Sequence, residues 1–364
     1  MKKCDGCGAV FQTLNPNQKG FIKQDIYKND KDNKYCERCF NLIHYNRIVP
    51  IIMDDFDINK YLQIINKNDL IVNVIDIFDL EGSFDSKIRE YFPFNPILFI
   101  ANKRDLFLKS VKPRKVINYL ESFLSNNNIK VSKILVLSAN SLKDLGVLLK
   151  EIKELSINNK VYFFGMTNVG KSSLINGLIR FVGRDEGRIA VSNIIGTTLD
   201  LIQIELENNL KIIDMPGLIN TNQVGTYLSA KSQKLLTQKH FIRPLVYQLQ
   251  AEQTLFFGGL VILKFIKGKP SSFISYMPKN LKVHRTKLAN TEKFYQDHID
   301  DILKIPTFEE RECLGKMKEH EFTFGKDKMD ITISGLGFIT LVGSGVIKLL
   351  CYEKIKVGYR QAII

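Results

Sequence analysis

The stretch VYFFGMTNVGKSSLIN, residues 161–176, carries an apolar run into a glycine-flanked loop and out into a segment of helical pattern. Gly165 to Ser172 fit the spacing G-x-x-x-x-G-K-[ST]. The two glycines let the loop turn its N–H groups, with those of Asn168, Val169, Gly170 and Ser173 nearby, onto phosphate oxygens. Lys171 adds a positive charge for the β- and γ-phosphates, and Ser172 adds a hydroxyl for Mg2+. The helix that opens at Lys171 turns its positive end to the same anion. The strand before and the helix after separate this loop from an ordinary glycine turn.

Two further motifs lie downstream. DMPG at 214–217 closes an apolar run, placing Asp214 to hold Mg2+ through water and the Gly217 amide to sense a γ-phosphate. GTTLD at 196–200 lies between, where Thr198, or its neighbour Thr197, can complete the metal shell. The catalytic set expected from these pieces is Lys171, Asn168, Thr198 and Gly217.

Upstream, LFIANKRDLF at 98–107 follows another apolar run. The Asp105 carboxylate can accept from guanine N1–H and the N2 amino group together, a pair that adenine does not offer. Asn102 is expected to brace the loop and the base, and the Lys103 stem to cover one face of the ring. Ser138, Ala139 and Asn140 would bring backbone amides to the guanine O6. Each short motif alone is a common surface turn. Together they predict one pocket for GTP or GDP with Mg2+. The base-reading motif precedes the phosphate loop, the reverse of the order in most GTP-binding proteins. A parallel sheet gathers such loops at the carboxyl ends of its strands whatever their order.

Apolar runs at 70–76, 96–102, 132–139 and 160–165, and in LDLIQIEL and LKIIDMPG, alternate with helical patterns. The helical segments are FDSKIREYF, PRKVINYLESFL, LKDLGVLLKEIKEL and KSSLINGLIR. The pattern predicts an α/β P-loop domain over 51–220, with a mostly parallel sheet and helices on both faces. Past 220, SSFISYM, LKVHRTKL and KMDITISGLGFITLVGSGVIKLLCY are β-rich with little helical period, marking a third region at 221–364. Within it ISGLGFITLVGSG reads as a strand pair with glycines at the bends. Without a following Lys-Ser and helix it is not a second nucleotide loop.

Residues 1–50 hold four of the six cysteines, Cys4-x-x-Cys7 and Cys36-x-x-Cys39. Each pair can supply two of four tetrahedral Zn–S contacts. Disulfides are out of keeping with a cytosolic chain, and a redox pair would stand singly beside a βαβ unit. A structural zinc is therefore expected on Cys4, Cys7, Cys36 and Cys39. His44 reads as a surface or RNA-contacting residue, and the isolated Cys313 and Cys351 as buried. Lys2, Lys3, Arg38, His44, Tyr45 and Arg47 interleave cations with an aromatic ring. That set suits RNA backbone and an unpaired base, or a protein-docking or packing surface.

The chain has 364 residues, of which 45% are hydrophobic, and a net charge of +14. No apolar run reaches the roughly 18 residues a membrane helix needs. The start MKKCDGCGAV shows neither a signal nor a transit pattern, so a cytoplasmic location is expected. Charge is uneven: residues 51–220 carry 21 basic and 20 acidic side chains, and residues 221–364 carry 22 and 13. Lys264, Lys267, Lys269, Lys279, Lys282, Arg285 and Lys287 stand among aromatic and β-branched residues there. A basic binding face for nucleic acid phosphates is the expectation.

The motif order, the cysteine pairs, CERCFNLIHYN, NVGKSSLIN, GTTLDLI and ISGLGFIT together resemble the YqeH family of circularly permuted GTPases. The resemblance runs over nearly the whole chain and thins after 220. It implies a ribosome-biogenesis GTPase acting on the small subunit or its 16S-type rRNA, with ribosomal proteins as further partners and no membrane. It also implies a zinc-binding N-terminus and an RNA-facing C-terminus; a monomer is expected. Leu218 stands where many GTPases carry a water-orienting glutamine, so slow intrinsic hydrolysis is expected. Family counterparts of Asn168 look like K+ ligands, so K+ stimulation is expected; the alternative is that Asn168 merely makes a local backbone bond. The alternative reading is a guanine-nucleotide sensor with negligible hydrolysis, acting on another RNA or a signalling partner.

Overall fold

The computed structural model describes residues 2–5, 9–16, 18–29, 34–45, 58–183, 190–193, 201–206, 209–238 and 241–364. The chain divides into two compact units. One comprises Met1–Ile77, Ser83–Arg104 and Ile117–Ile219; the other comprises Phe78–Gly82, Asp105–Val116 and Asn220–Ile364.

The first unit is built on seven strands: β1 (Leu70–Asp76), β2 (Ile97–Asn102), β3 (Lys133–Val136), β4 (Lys160–Phe164), β5 (Ala190–Asn193), β6 (Ile202–Leu206) and β7 (Leu210–Asp214). Their order in the sheet is β3-β2-β1-β4-β7-β6-β5. β1 to β4 and β7 run parallel, while β6 and β5 add an antiparallel margin. Covering both faces of a parallel sheet demands unbroken apolar strands, and β1 and β2 are buried along nearly their whole length.

Alternate residues sort to the two faces. Val72, Ile100 and Phe163 pack with Leu148 of the helix Leu142–Leu155 and Leu174 of the helix Lys171–Gly183. On the other face Phe99 meets Phe84, which meets Phe123 of the helix Pro113–Asn126, and Phe164 meets Phe92 beyond the helix Ile88–Tyr91. Helices thus cover both faces, as the alternation of patterns predicts. Local chemistry sets their starts: Pro113 opens one helix with its fixed φ, and the Ser141 hydroxyl accepts the Asp144 N–H at 3.3 Å to cap another.

The second unit contains β8 (Leu245–Leu249), β9 (Gln253–Phe257), β10 (Val261–Gly268), β11 (Ser271–Tyr276), β12 (Val283–Lys287), β13 (Met317–Phe324), β14 (Met329–Ile333), β15 (Gly337–Val342), β16 (Gly345–Tyr352) and β17 (Val357–Gln361). They form two five-stranded sheets, β12-β9-β10-β16-β13 and β17-β14-β15-β11-β8. Leu263, Phe265 and Leu349 of the first share one core with Phe273, Ile331 and Leu341 of the second. The glycine-rich stretch at 333–345 turns as expected, with β14 and β15 paired antiparallel.

Two expectations are corrected here. Helices at Ala230–Leu236, Thr291–His298 and Phe308–Leu314 interrupt the β pattern. They are too short to show an amphipathic period, and local bonds hold them: Thr307 and Glu310 form a capping box. Cys313, on the last of these helices, is exposed, while Cys351 is buried. Among the described residues no helix is long and apolar enough to cross a membrane.

Candidate nucleotide and metal sites

β4 ends at Phe164, and the loop Gly165–Gly170 leads straight into the helix Lys171–Gly183. Gly165 and Gly170 adopt φ of 143° and 95°, a region closed to most side chains. Space forbids them as well. A Cβ on Gly165 would lie 2.3 Å from the Val74 carbonyl oxygen, and one on Gly170 2.3 Å from Asn102 Nδ2. Asn168, with φ 64°, is exposed, and asparagine tolerates that conformation better than most residues. Among the described residues it makes no local side-chain bond of the kind Asn often forms in turns.

Lys171 is buried, its Nζ donating to the carbonyls of Gly165 and Met166 at 2.8 and 2.9 Å. Burial lowers its ammonium to about 8, with the Asp214 carboxylate pulling the other way. The Ser172 hydroxyl donates to Asp214 Oδ2 at 3.1 Å. Among the described residues Asp214 Oδ1 is buried with no hydrogen-bond partner, leaving a lone pair that a cation or its water shell could use. Burial raises the Asp214 carboxyl, opposed by Lys171, Ser172 and Arg38. The segment after β7 pairs with the phosphate loop: the Thr167 N–H donates to the Leu218 carbonyl at 2.8 Å and the Leu218 N–H to Gly165 O at 3.3 Å. A Cβ on Gly217 would meet Thr167 at 2.9 Å and Lys171 Nζ at 3.1 Å. These donors and glycines fit a Mg–nucleotide: Ser172 and Asp214 for the metal, Lys171 and the loop amides for phosphate. Thr197 and Thr198 lie outside the described residues.

The residues expected to read the base lie at the end of β2, which β1 separates from β4 in the sheet. Asn102, the last residue of β2, is buried. Its Nδ2 donates to the Val169 carbonyl at 3.0 Å and its Oδ1 accepts the Ala139 N–H at 3.3 Å. One carboxamide therefore links the phosphate loop, the base-reading segment and the Ser138–Asn140 loop. Lys103 follows with φ 69°, its Nζ 2.6 Å from Asp76 Oδ2. Asp105 is exposed on the short 3-10 turn Arg104–Leu106. Ser138 is buried: its N–H donates to Asp144 Oδ2 at 2.9 Å and its hydroxyl accepts from the Asn140 N–H at 3.1 Å.

Cys4, Cys36 and Cys39 are buried with their sulfurs within 4.8 Å of one another. The Cys36 N–H donates to Cys4 Sγ at 3.2 Å, a bond that stabilises a thiolate. The spacing suits Zn–S contacts of about 2.3 Å, so the three thiols fit a metal ion. Cys7 lies outside the described residues, as does Arg47. His44 and Tyr45 are exposed beside Phe40, with ring centroids 4.5 and 5.9 Å from it.

Sequence reading missed two charged residues beside those it singled out. Asp76 pairs with Lys103, and its signal was an acid closing an otherwise apolar strand. Arg38, grouped with RNA-facing cations, has its Nε buried and its charge felt by Asp214. In the second unit Lys267, Lys269, Lys279, Lys282, Arg285 and Lys287 are exposed and Lys264 is half-buried.

The phosphate-loop segment, residues 160–254, matches the family described as 50S ribosome-binding GTPase, and residues 270–363 match the YqeH-like C-terminal family. The chain is 35% identical over 339 residues to the uncharacterized protein YqeH of Bacillus subtilis, covering 93% of this chain and 92% of that one. It is 27% identical over 387 residues to NO-associated protein 1, chloroplastic/mitochondrial, of Arabidopsis thaliana, covering 93% and 69%. It is 31% identical over 202 residues to GTPase Der of Aquifex aeolicus, covering 51% and 43%. The likeness to the Bacillus protein does not stop at the nucleotide-binding sheet but continues through the C-terminal strands, and this chain therefore belongs to the YqeH family of GTPases.

Proposed function

We propose that this GTPase is circularly permuted and binds an assembling small ribosomal subunit while charged with GTP, leaving after slow, K+-stimulated hydrolysis. The observation that carries the nucleotide reading is the Asn102 carboxamide, bonded to Val169 on one side and Ala139 on the other. That geometry supports a single pocket with Asp105 reading guanine and Lys171, Ser172 and Asp214 holding the Mg-phosphate. In this reading residues 1–50 are a zinc module, 51–220 the GTPase domain, and 221–364 an rRNA-binding domain. The exposed lysines and the excess of 22 basic over 13 acidic residues after position 220 support the last assignment.

The matched GTPase family carries a large-subunit description, whereas the resemblance in the cysteine pairs and motif order points to the small subunit. Sedimentation of the protein with separated 30S and 50S particles, in GTP and in GDP, decides between them. GTP-dependent migration with 30S alone supports the proposal, and migration with 50S alone rejects its small-subunit element. Equal turnover in K+ and Na+ would remove the role given to Asn168.

Leu218 favours a second reading, a sensor that hydrolyses little. Its side chain cannot orient water, and its backbone serves instead to tie the DMPG segment to the phosphate loop. Turnover that stays negligible with ribosomal particles in K+ buffer would favour this reading.

A further inference from the structure

Asp76 belongs to none of the motifs that bind nucleotide. It closes β1, whose parallel register with β2 sets Asp76 level with Asn102. The Asp76 N–H donates to the buried Ser83 hydroxyl at 2.9 Å, and the next N–H, of Ile77, donates to the Asn102 carbonyl at 3.2 Å. The carboxylate is thereby carried on a backbone fixed on both sides, one residue short of the base-reading turn. Its Oδ2 lies 2.6 Å from Lys103 Nζ, with the two side chains 18% and 28% exposed.

We infer that Asp76 is a positioning residue of the guanine pocket, holding the Lys103 side chain extended so that its aliphatic stem covers the base. The inference rests on the reading of Asn102–Asp105 as the guanine-recognition segment.

Three observations converge on it. Lys103 stands at φ 69°, where a lysine rests only if its surroundings hold it. The ammonium is anchored at its far end, which leaves the methylenes between as a fixed apolar strip. The same pairing satisfies the positive charge locally, so Lys103 is not drawn toward the phosphates that Lys171 serves. A lysine paired at random on the surface would contribute little to either task.

The test is a double-mutant cycle on the full chain, read by dissociation of fluorescently labelled GDP and GTP. Asp76→Asn is expected to speed release of both nucleotides by the same factor, about tenfold, because the base contact is common to them. Lys103→Met should have a similar effect, and the double variant should be no worse than Lys103→Met alone within about twofold. Asp76→Glu keeps the charge and should recover most of the affinity; it also serves if Asp76→Asn does not fold. Unchanged release from Asp76→Asn, effects that multiply in the double variant, or a charge-retaining variant as weak as Asp76→Asn would overturn the inference. Wild-type protein that bound neither labelled nucleotide would overturn the guanine reading itself.

Discussion

Asn102 donates its side-chain amide to the carbonyl of Val169 at 3.0 Å, tying the end of β2 to the phosphate loop. The same group accepts the Ala139 N–H, so its removal leaves a buried carbonyl and a buried amide without partners. Asn102→Ala is expected to cost about 1–3 kcal/mol of stability and to weaken GDP and GTP alike. Denaturant unfolding and nucleotide titration on the same preparation check both; an unchanged unfolding midpoint would contradict the bridging role.

Gly170 has no room for a methyl group, because Asn102 Nδ2 would lie 2.3 Å from it. Gly170→Ala should displace that same amide and also strain a residue at φ 95°. Loss of nucleotide binding with a folded circular-dichroism spectrum is expected. Retained affinity would show that the loop relaxes without loss of function.

Lys171 gives the site a pH dependence. Burial holds its ammonium at about 8, and phosphate bound against it favours the charged form. Below that pH the group is protonated in free and bound protein, so affinity is level. Above it the free protein has lost the proton and binding must recover it, so affinity falls toward tenfold per pH unit. Calorimetry at about pH 9 in buffers of different ionisation enthalpy should show uptake approaching one proton. Absence of uptake would contradict this assignment.

The cysteine cluster predicts one zinc per chain, as expected for a closed thiolate site. Cys39→Ser should lose the metal and lower the melting temperature, and a chelator should reproduce the shift in the wild type. Purified protein free of metal, yet equally stable with and without added zinc, would reject the site.

In the second unit Arg360 lies 2.5 Å from Glu81 Oε1 and 3.4 Å from Asp330 Oδ2, and Asp330 is fully buried. Burial raises the Asp330 carboxyl while Arg360 holds it down. Arg360→Met strands that carboxylate at a cost of about 3–5 kcal/mol. Already raised by burial, the folded-state pKa rises further above the unfolded value once the cation is gone, so the loss should be larger at high pH and shrink as the acid protonates. Unfolding curves across the acidic to neutral range check the sign, and the double variant Arg360→Met/Asp330→Asn should recover part of the loss.

Strand β1 was legible to the residue, 70–76, because burial on both faces of a parallel sheet demands an unbroken apolar run. Gly165-x4-Gly170-Lys171-Ser172 was equally legible, since its glycines answer to backbone geometry that only one residue type tolerates. The helices Thr291–His298 and Phe308–Leu314 were not, being about two turns long, too short for an apolar period to repeat. Nor was the exposure of Cys313, which an apolar residue type does not encode.

By itself, then, the sequence determined the α/β sheet, the phosphate loop, the base-reading segment and the cysteine cluster, because each depends on local pattern or fixed spacing. Only the tertiary structure brought Asn102 to Val169 and Lys103 to Asp76, pairs 67 and 27 residues apart. Those contacts are set by which strands lie side by side and in what register, and neither residue announces its partner in the chain.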